Sequence, residues 1–360
     1  MSSSSTPRPL ARPILYDLVP DSSHLDRPGP SFSPFCLRAR LALERKRVEY
    51  DHRFVSYHDL RFGPLKDELD LDHVTAPILR KSDGQLLMDS TAIALYLDEA
   101  YPDRPNLFLP EAPEPVDLGC PEYAVAVERF ESVLKEVANR PSPNEIGSRD
   151  DDDKSKDGKS LEKKEEPVRL ALREKRGPFW TAVFFLYAKR ICSLFDPETK
   201  AYWIDDARLG DGSWNAILNL DEAECIREIH KGCKRLSDAF LSDSKLFFTS
   251  ASQPGMTDFV LFGTVQLIRS VSPRLFLKCF VDPSRRSSTH EATLETRQST
   301  REGEGEGEGG DNGGGREIQE EEEEEVLGNF ARWVARMDEW FPLKEVRERD
   351  AKSEVEECVE

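Results

Sequence analysis

The sequence predicts a mixed α/β unit followed by an all-helical region, and three observations carry that reading. Residues 14–100 alternate strand-like and helix-like patterns in the order β-α-β-(α)-β-β-α. Six prolines (102, 105, 110, 113, 115 and 121) then interrupt the pattern and read as an extended linker. Beyond them, the apolar residues recur at helical spacing. A chain of 360 residues is long enough for two such parts with a sizeable core.

The first strand is the apolar run Ile14 to Val19, and a loop rich in Pro, Gly and Asp follows it. Ser33 and Pro34 then open a helix. Serine is a preferred N-cap, and proline suits the first helical position because its missing N–H had no partner there. Phe35, Leu37, Ala39, Leu41, Ala42 and Leu43 carry this helix to about Lys46. A hydroxyl at Ser33 and a thiol at Cys36 therefore sit at the positive end of a helix directly after a strand. That end favours an anion, and a thiolate is one. On this stretch alone, Ser33 reads equally as a plain cap and Cys36 as a packed side chain.

Val48 to Val55 is rich in β-branched and aromatic residues and predicts a second strand, parallel to the first through a right-handed crossover. Tyr57 to Asp72 is polar and irregular, with room for a short helix. Ala76 to Arg80 predicts a third strand with Pro77 at its start, where proline is allowed. Ser82-Asp83-Gly84 signals a hairpin turn, Gln85 to Met88 returns as a fourth strand, and Asp89-Ser90-Thr91 caps a helix over Ala92 to Ala100. The second part has Glu122 to Asn139 as a helix, then charged low-complexity sequence over 141–166. A helix is expected to resume near Val168, break at Gly177-Pro178, and continue to about Phe195 as a buried central helix, too short and mixed for a bilayer. Asp221 to Leu241 is amphipathic. Asp258 stands three residues after Gly255, where an N3 carboxylate reaches back to the N-cap amide. Residues 281–325, with E-G repeats and poly-Glu, hold too few apolar residues for a core, and Val326 to Phe341 is a final amphipathic helix. The expected division is 12–103, a linker over 104–121, and 122–345 with insertions at 141–166 and 281–325.

The net charge of −19 is concentrated in those insertions. Residues 141–166 hold nine acids and six bases and 281–325 fifteen acids and five bases, which leaves about −6 elsewhere. This argues against a nucleic-acid partner and says little else about partners. The first ten residues lack the apolar core of a signal peptide and no later run is long enough for a membrane span, so a cytoplasmic protein is expected. Seven cysteines (36, 120, 192, 225, 233, 279 and 358) form no CxxC pair, which suits a reducing compartment. The histidines (24, 52, 58, 73, 230 and 290) show no metal-ligand spacing with them, so no metal is expected.

Together, S-P-F-C-L-R-A-R-L-A-L-E, A-P-I-L and M-D-S-T-A-I-A-L-Y-L-D-E-A-Y-P resemble the N-terminal domain of the glutathione S-transferases, which has a thioredoxin-like fold. The long loop before Ser33 and V-S-Y-H-D-L after the second strand are most similar to the fungal etherase-like transferases and bacterial β-etherases. The resemblance extends to the helical domain through Gly255 and Asp258, where relatives carry Ser/Thr-x-x-Asp; glycine is tolerated as the cap. It implies an enzyme that binds glutathione as co-substrate, lowers its thiol pKa, and attacks a small hydrophobic electrophile or an ether. By this resemblance Ser33 is the activating hydroxyl, with Cys36 as rival because S-P-F-C also resembles the glutaredoxin C-P-Y-C. Pro77 is implied to be cis, presenting Ala76 to the cysteinyl backbone; Asp89 and Ser90 are implied to hold the γ-glutamyl end. His58 and Lys46 are candidate partners for the glycine carboxylate. Phe130, Phe179, Trp180, Phe184 and Tyr187 are candidates for an electrophile pocket, and aromatics at helical spacing read equally as core. A homodimer is expected from the family. A non-catalytic glutathione or apolar-ligand binder and a thiol reductase acting through Cys36 are the alternatives.

Overall fold

The computed structural model describes residues 12–25, 31–140, 176–205, 213–281 and 314–342. The first part holds β1 (Ile14–Val19), α1 (Pro34–Arg45), β2 (Asp51–Ser56), α2 (Tyr57–Arg61), α3 (Leu65–Leu69), β3 (Ile78–Arg80), β4 (Leu86–Met88) and α4 (Ser90–Ala100). The sheet order is β2-β1-β3-β4. Strands β1 and β2 run parallel, in register from Ile14 with Asp51 to Val19 with Ser56. β3 is antiparallel to both β1 and β4. The continuous apolar run of β1 has its cause here. Leu15 packs in the cluster that holds α1 and α4, while Tyr16 and Leu18 pack with Leu60, Leu65 and Leu69 on the other face. A strand covered on both faces loses the polar half of its alternation.

Two boundaries differ from the sequence expectation. β2 begins at Asp51 rather than Val48, because the Val48 N–H is spent closing the end of α1 on Leu43 O at 3.0 Å, with Arg47 at φ 51°. Helix α4 begins at Ser90 rather than Ala92, capped by Asp89, whose Oδ1 accepts the amides of Thr91 at 2.8 Å and Ala92 at 3.0 Å.

The helical region comprises α5 (Pro121–Arg129), α6 (Ser132–Ala138), α7 (Pro178–Ile191), α8 (Pro197–Ile204), α9 (Ser213–Leu218), α10 (Glu222–Phe240), α11 (Met256–Val271), α12 (Pro273–Phe280) and α13 (Gly314–Trp340). The single helix expected over 122–139 is broken at Phe130 and Glu131, where Phe130 turns against Phe108 at 5.4 Å and Glu131 reaches Arg38 at 3.0 Å. The proline-rich segment between α4 and α5 is not a free tether. Leu107 and Phe108 are buried, and Leu107 O accepts the Met256 N–H at 2.8 Å. The expected low-complexity stretches 141–166 and, within 281–325, residues 282–313 lie outside the described residues. From Gly314 onward the poly-Glu tract is helix, a correction to the expectation that the helix starts at Val326. Glutamate propagates helix well once Leu327, Phe330, Trp333, Val334 and Met337 anchor the docked end.

Two contacts fix α11, the helix against which α1 lies. The Asp258 carboxylate is fully buried and accepts from Gly255 N–H (3.1 Å), Phe248 N–H (2.8 Å), Thr249 Oγ1 (2.8 Å) and Trp333 Nε1 (2.9 Å). Burial pushes its carboxyl up, and those four donors oppose the shift. The sequence had Asp258 only as a helix cap; it also ties α13 to α11. At the middle of α11, Gly263 lies so close to α1 that an added Cβ would sit 2.8 Å from Pro34 O. Among the described residues no helix is long and apolar enough to cross a membrane.

Two outcomes follow from these contacts. Asp258→Ala leaves four donors without their acceptor and is expected to cost about 3–5 kcal/mol, read as a lower denaturation midpoint at unchanged slope. Gly263→Ala sets a Cβ against the Pro34 carbonyl and is expected to cost about 1–3 kcal/mol in the same measurement.

Candidate functional site

Three chain segments that are distant in sequence meet at one cavity of about 290 Å³. Ser33 comes from the start of α1, Ala76 and Pro77 from the entry to β3, and Asp89 and Ser90 from the start of α4. The Ala76–Pro77 peptide bond is cis. Five of the residues singled out from the sequence are thus neighbours in space. Phe35, Tyr57, Leu60 and Arg61 add an apolar and cationic side to the same cavity.

Ser33 has extended backbone (φ −127°), and its Oγ accepts the Cys36 N–H at 3.3 Å. This is the N-cap geometry, and because the hydroxyl oxygen serves as acceptor, its proton is available to a ligand. The segment before it is held from three sides. Phe32 N–H donates to Leu18 O at 3.3 Å, Tyr187 Oη donates to Phe32 O at 2.8 Å, and Ser33 N–H donates to Ser31 Oγ at 3.1 Å. Burial pushes the Tyr187 phenol well up, so it stays a donor at neutral pH.

At the α4 end, Asp89 is exposed at φ 78°, a conformation side-chain-bearing residues seldom adopt. Its cap takes the Thr91 and Ala92 amides and leaves the Ser90 N–H and hydroxyl at the helix start, a setting that suits a carboxylate. Behind Ser90 lies Arg38, 4% exposed, with Nη1 3.5 Å from Ser90 Oγ and Nη2 paired to Glu131 at 3.0 Å. Sequence reasoning missed Arg38. Its signal was a charged residue on the otherwise apolar, inward face of α1.

Several candidates sit elsewhere. Cys36 is fully buried, and burial together with the nearby Asp17 carboxylate raises its thiol well above the ordinary range. A thiol in that setting is held neutral and packed. His58 does not line the cavity; its Nε2 pairs with Glu198 at 3.0 Å, between α2 and α8. Lys46 is 1% exposed, with Nζ 2.7 Å from the buried Asp98 carboxylate, and so is structural. None of the five aromatic candidates lines the cavity. Phe130 packs on Phe108, and Phe179 is buried against Trp180. Trp180 is half-buried, Phe184 lies under the Arg176 guanidinium, and Tyr187 is spent on Phe32. The four on α7 pack against the helices that cover it, α9, α10 and α11, rather than against the cavity.

The cavity's own aromatic and cationic groups are Phe35, Tyr57 and Arg61, none of which the sequence had marked. Phe35 is 49% exposed beside Ser33, an unusual cost for a phenylalanine. Arg61 makes no ion pair among the described residues; its Nε is buried without a hydrogen-bond partner, and its guanidinium lies 5.5 Å from the Tyr202 ring. Among the described residues no cluster of His, Cys, Asp and Glu could hold a metal ion.

Residues 29–105 match the family described as glutathione S-transferase, N-terminal domain. Glutathione S-transferase U22 of Arabidopsis thaliana is 35% identical over 81 residues, 22% of this chain, and the match spans only 35% of that relative's length. A glutathione S-transferase of Ceriporiopsis subvermispora, solved in complex with glutathione, superposes with a TM-score of 0.50 at 16% identity, over 94% of this chain and 100% of that one. A second transferase of that fungus, also solved with glutathione, gives 0.48 at 17% identity, over 75% and 92%. Residues 29–105 are thus similar to the N-terminal domain of the glutathione S-transferases, and over the longer chain the likeness is one of fold, a thioredoxin-like N-terminal domain with a helical C-terminal region.

Proposed function

We propose that the chain is a glutathione transferase that binds glutathione in the cavity between α1, β3 and α4 and activates its thiol with Ser33. The convergence of Ser33, Ala76, Pro77, Asp89 and Ser90 on one cavity is the observation that supports this reading most. The peptide lies extended across the three segments. Its γ-glutamyl carboxylate meets the Ser90 amide and hydroxyl at the start of α4, with the Arg38 charge behind them, and Asp89 faces the ammonium. The cysteinyl backbone pairs with Ala76. The sulfur meets the Ser33 hydroxyl, whose proton and the α1 N-terminus favour thiolate over thiol. The thiolate then attacks an electrophilic carbon, a halide-like or ether centre, and the leaving group departs with the bonding pair. Arg61 replaces His58 and Lys46 as the partner of the glycine carboxylate, since it is the cation on the cavity wall. Phe35 and Tyr57 replace the five aromatics of α5 and α7 as the apolar wall for the second substrate. The low-identity fold likeness leaves the electrophile open, so the etherase-like reading is the narrower form of the same proposal.

The thiol-reductase alternative loses support from the burial of Cys36. Three measurements discriminate. Ser33→Ala is expected to lower kcat/KM with a halodinitrobenzene at neutral pH by about 10–100-fold, the scale of losing one donor to a developing anion. Unchanged turnover would remove Ser33 from the chemistry. Cys36→Ala is expected to retain turnover and disulfide reduction by glutathione, and a loss of either would restore the thiol to the mechanism. Arg61→Ala is expected to weaken glutathione by about tenfold, the scale of one charge-assisted hydrogen bond, while γ-glutamylcysteine, which lacks the glycine carboxylate, binds as before. Equal weakening of both ligands would place Arg61 elsewhere in the site.

A further inference from the structure

Asp17 is a carboxylate in the middle of β1 with no exposed surface, and nothing in the proposed binding of glutathione uses it. A buried charge of this kind is costly unless its lone pairs are filled. Here they are. Oδ1 accepts the Leu18 N–H at 2.6 Å and the Ser31 hydroxyl at 2.6 Å, and Oδ2 meets His52 Nε2 at 3.0 Å. Ser31, itself 1% exposed, passes the order on, since its Oγ accepts the Ser33 N–H at 3.1 Å. The chain of contacts thus runs from His52 on β2, through Asp17 and Ser31, to the backbone of Ser33.

The Ser31 hydroxyl has one proton and two acceptors in reach, Asp17 Oδ1 at 2.6 Å and Ser33 O at 3.0 Å. The carboxylate, charged and closer, takes that proton and fixes the hydroxyl rotor, leaving an oxygen lone pair for the Ser33 N–H. Without Asp17 the proton turns to Ser33 O, and the extended backbone that aims Ser33 into the cavity loses its fixed acceptor. We propose that Asp17 is a positioning residue for the thiol-activating hydroxyl, acting through Ser31, with His52 closing the network at its outer end. This rests on the reading of Ser33 as the activating group. The groups around Asp17 are His52, whose side chain is 23% exposed, Ser31, the buried Cys36 thiol and the Arg40 guanidinium on α1, and the Tyr50 phenol before β2. The Asp17 charge contributes to raising that thiol, which places the carboxylate within electrostatic reach of the start of α1.

The test is the ultraviolet thiolate band of glutathione bound to the full chain, titrated against pH, with the dissociation constant measured alongside. Asp17→Ala is expected to raise the apparent pKa of the bound thiol by about one unit, a tenfold loss of thiolate at fixed pH below it, with glutathione affinity changed less than about threefold. Asp17→Asn keeps an oxygen acceptor for Ser31 and is expected to recover most of that shift. Ser31→Ala removes the middle link while leaving Asp17 its charge and its other two partners, and is expected to raise the apparent pKa at least as far as Asp17→Ala, because loss of the Asp17 charge by itself favours the thiolate; it decides the matter if Asp17→Ala does not fold. An unshifted titration in Ser31→Ala overturns the proposal, as does a shift in Asp17→Asn as large as in Asp17→Ala. Ser33→Ala run in parallel separates the two readings. If it too leaves the titration unmoved, the Ser33 assignment fails; if it alone moves the titration, only the role of Asp17 fails.

Discussion

The structure depends on how tightly the start of α1 is held. Helix α1 lies between the sheet and α11, and Gly263 lets the backbone of α11 approach Pro34 directly. The three residues before Pro34 are then fixed by Leu18 from β1, by Tyr187 from α7 and by the Asp17–Ser31 contact. Both parts of the chain therefore contribute to the placement of one hydroxyl. A loop would carry that hydroxyl with side-chain and backbone freedom. A helix start clamped from two domains does not, and fixed donors need no reorganisation when charge develops against them.

The same economy governs the buried charges. Lys46 and Asp98 pair at 2.7 Å, and Asp98 also accepts from Leu107 N–H and from Tyr123 Oη, which fastens α1, α4, the proline-rich segment and α5 to one another. Arg38 joins Ser90 on one side to Glu131 on the other. Asp258 gathers four donors from three places in the helical region. Each of these ions is expensive in an apolar interior and each is answered by partners from separate elements, so none can be met by local structure alone. The Lys46–Asp98 and Arg38–Glu131 groups specify one arrangement of the two parts, because sliding either part leaves a charge bare, and Asp258 does the same within the helical region.

Much of the fold was legible because it follows local rules. The cap at Ser33, the proline at the entry to β3, the turn at Gly84 and the amphipathic period of α10 are each set within a few residues of sequence. The wall of the candidate site made of Ser33, Ala76, Pro77, Asp89 and Ser90 was legible through family motifs. What the sequence hid is non-local. Arg61, Phe35 and Tyr57 reach the cavity because α2 and the start of α1 converge on it, and nothing near them in the chain says so. The aromatics of α7 looked like a pocket because periodicity shows that a face is apolar and not what covers it. Burial by α10 and α11 decided that. The poly-Glu tract misled for the opposite reason: composition argued against a core, yet a helix anchored at its far end needs none of its own.

Ser33 and Cys36 make the clearest case for weighing field against burial. They are one turn apart at the same helix terminus, so dipole and free amides favour an anion at both. The thiol is chemically the better nucleophile, and on reactivity alone it would win. Its position decides otherwise. Cys36 points into the apolar cluster of Tyr16, Leu18, Val55 and Ile78 next to the Asp17 carboxylate, where desolvation and a like charge both oppose ionisation. Ser33 ionises at no accessible pH and, on the proposed reading, need not, since it would lend a proton and leave the charge on the sulfur of bound glutathione. On that reading the site needs a donor at the cavity wall and its own thiol kept neutral beneath. The register of α1, set by Pro34 and the Ser33 cap, supplies both.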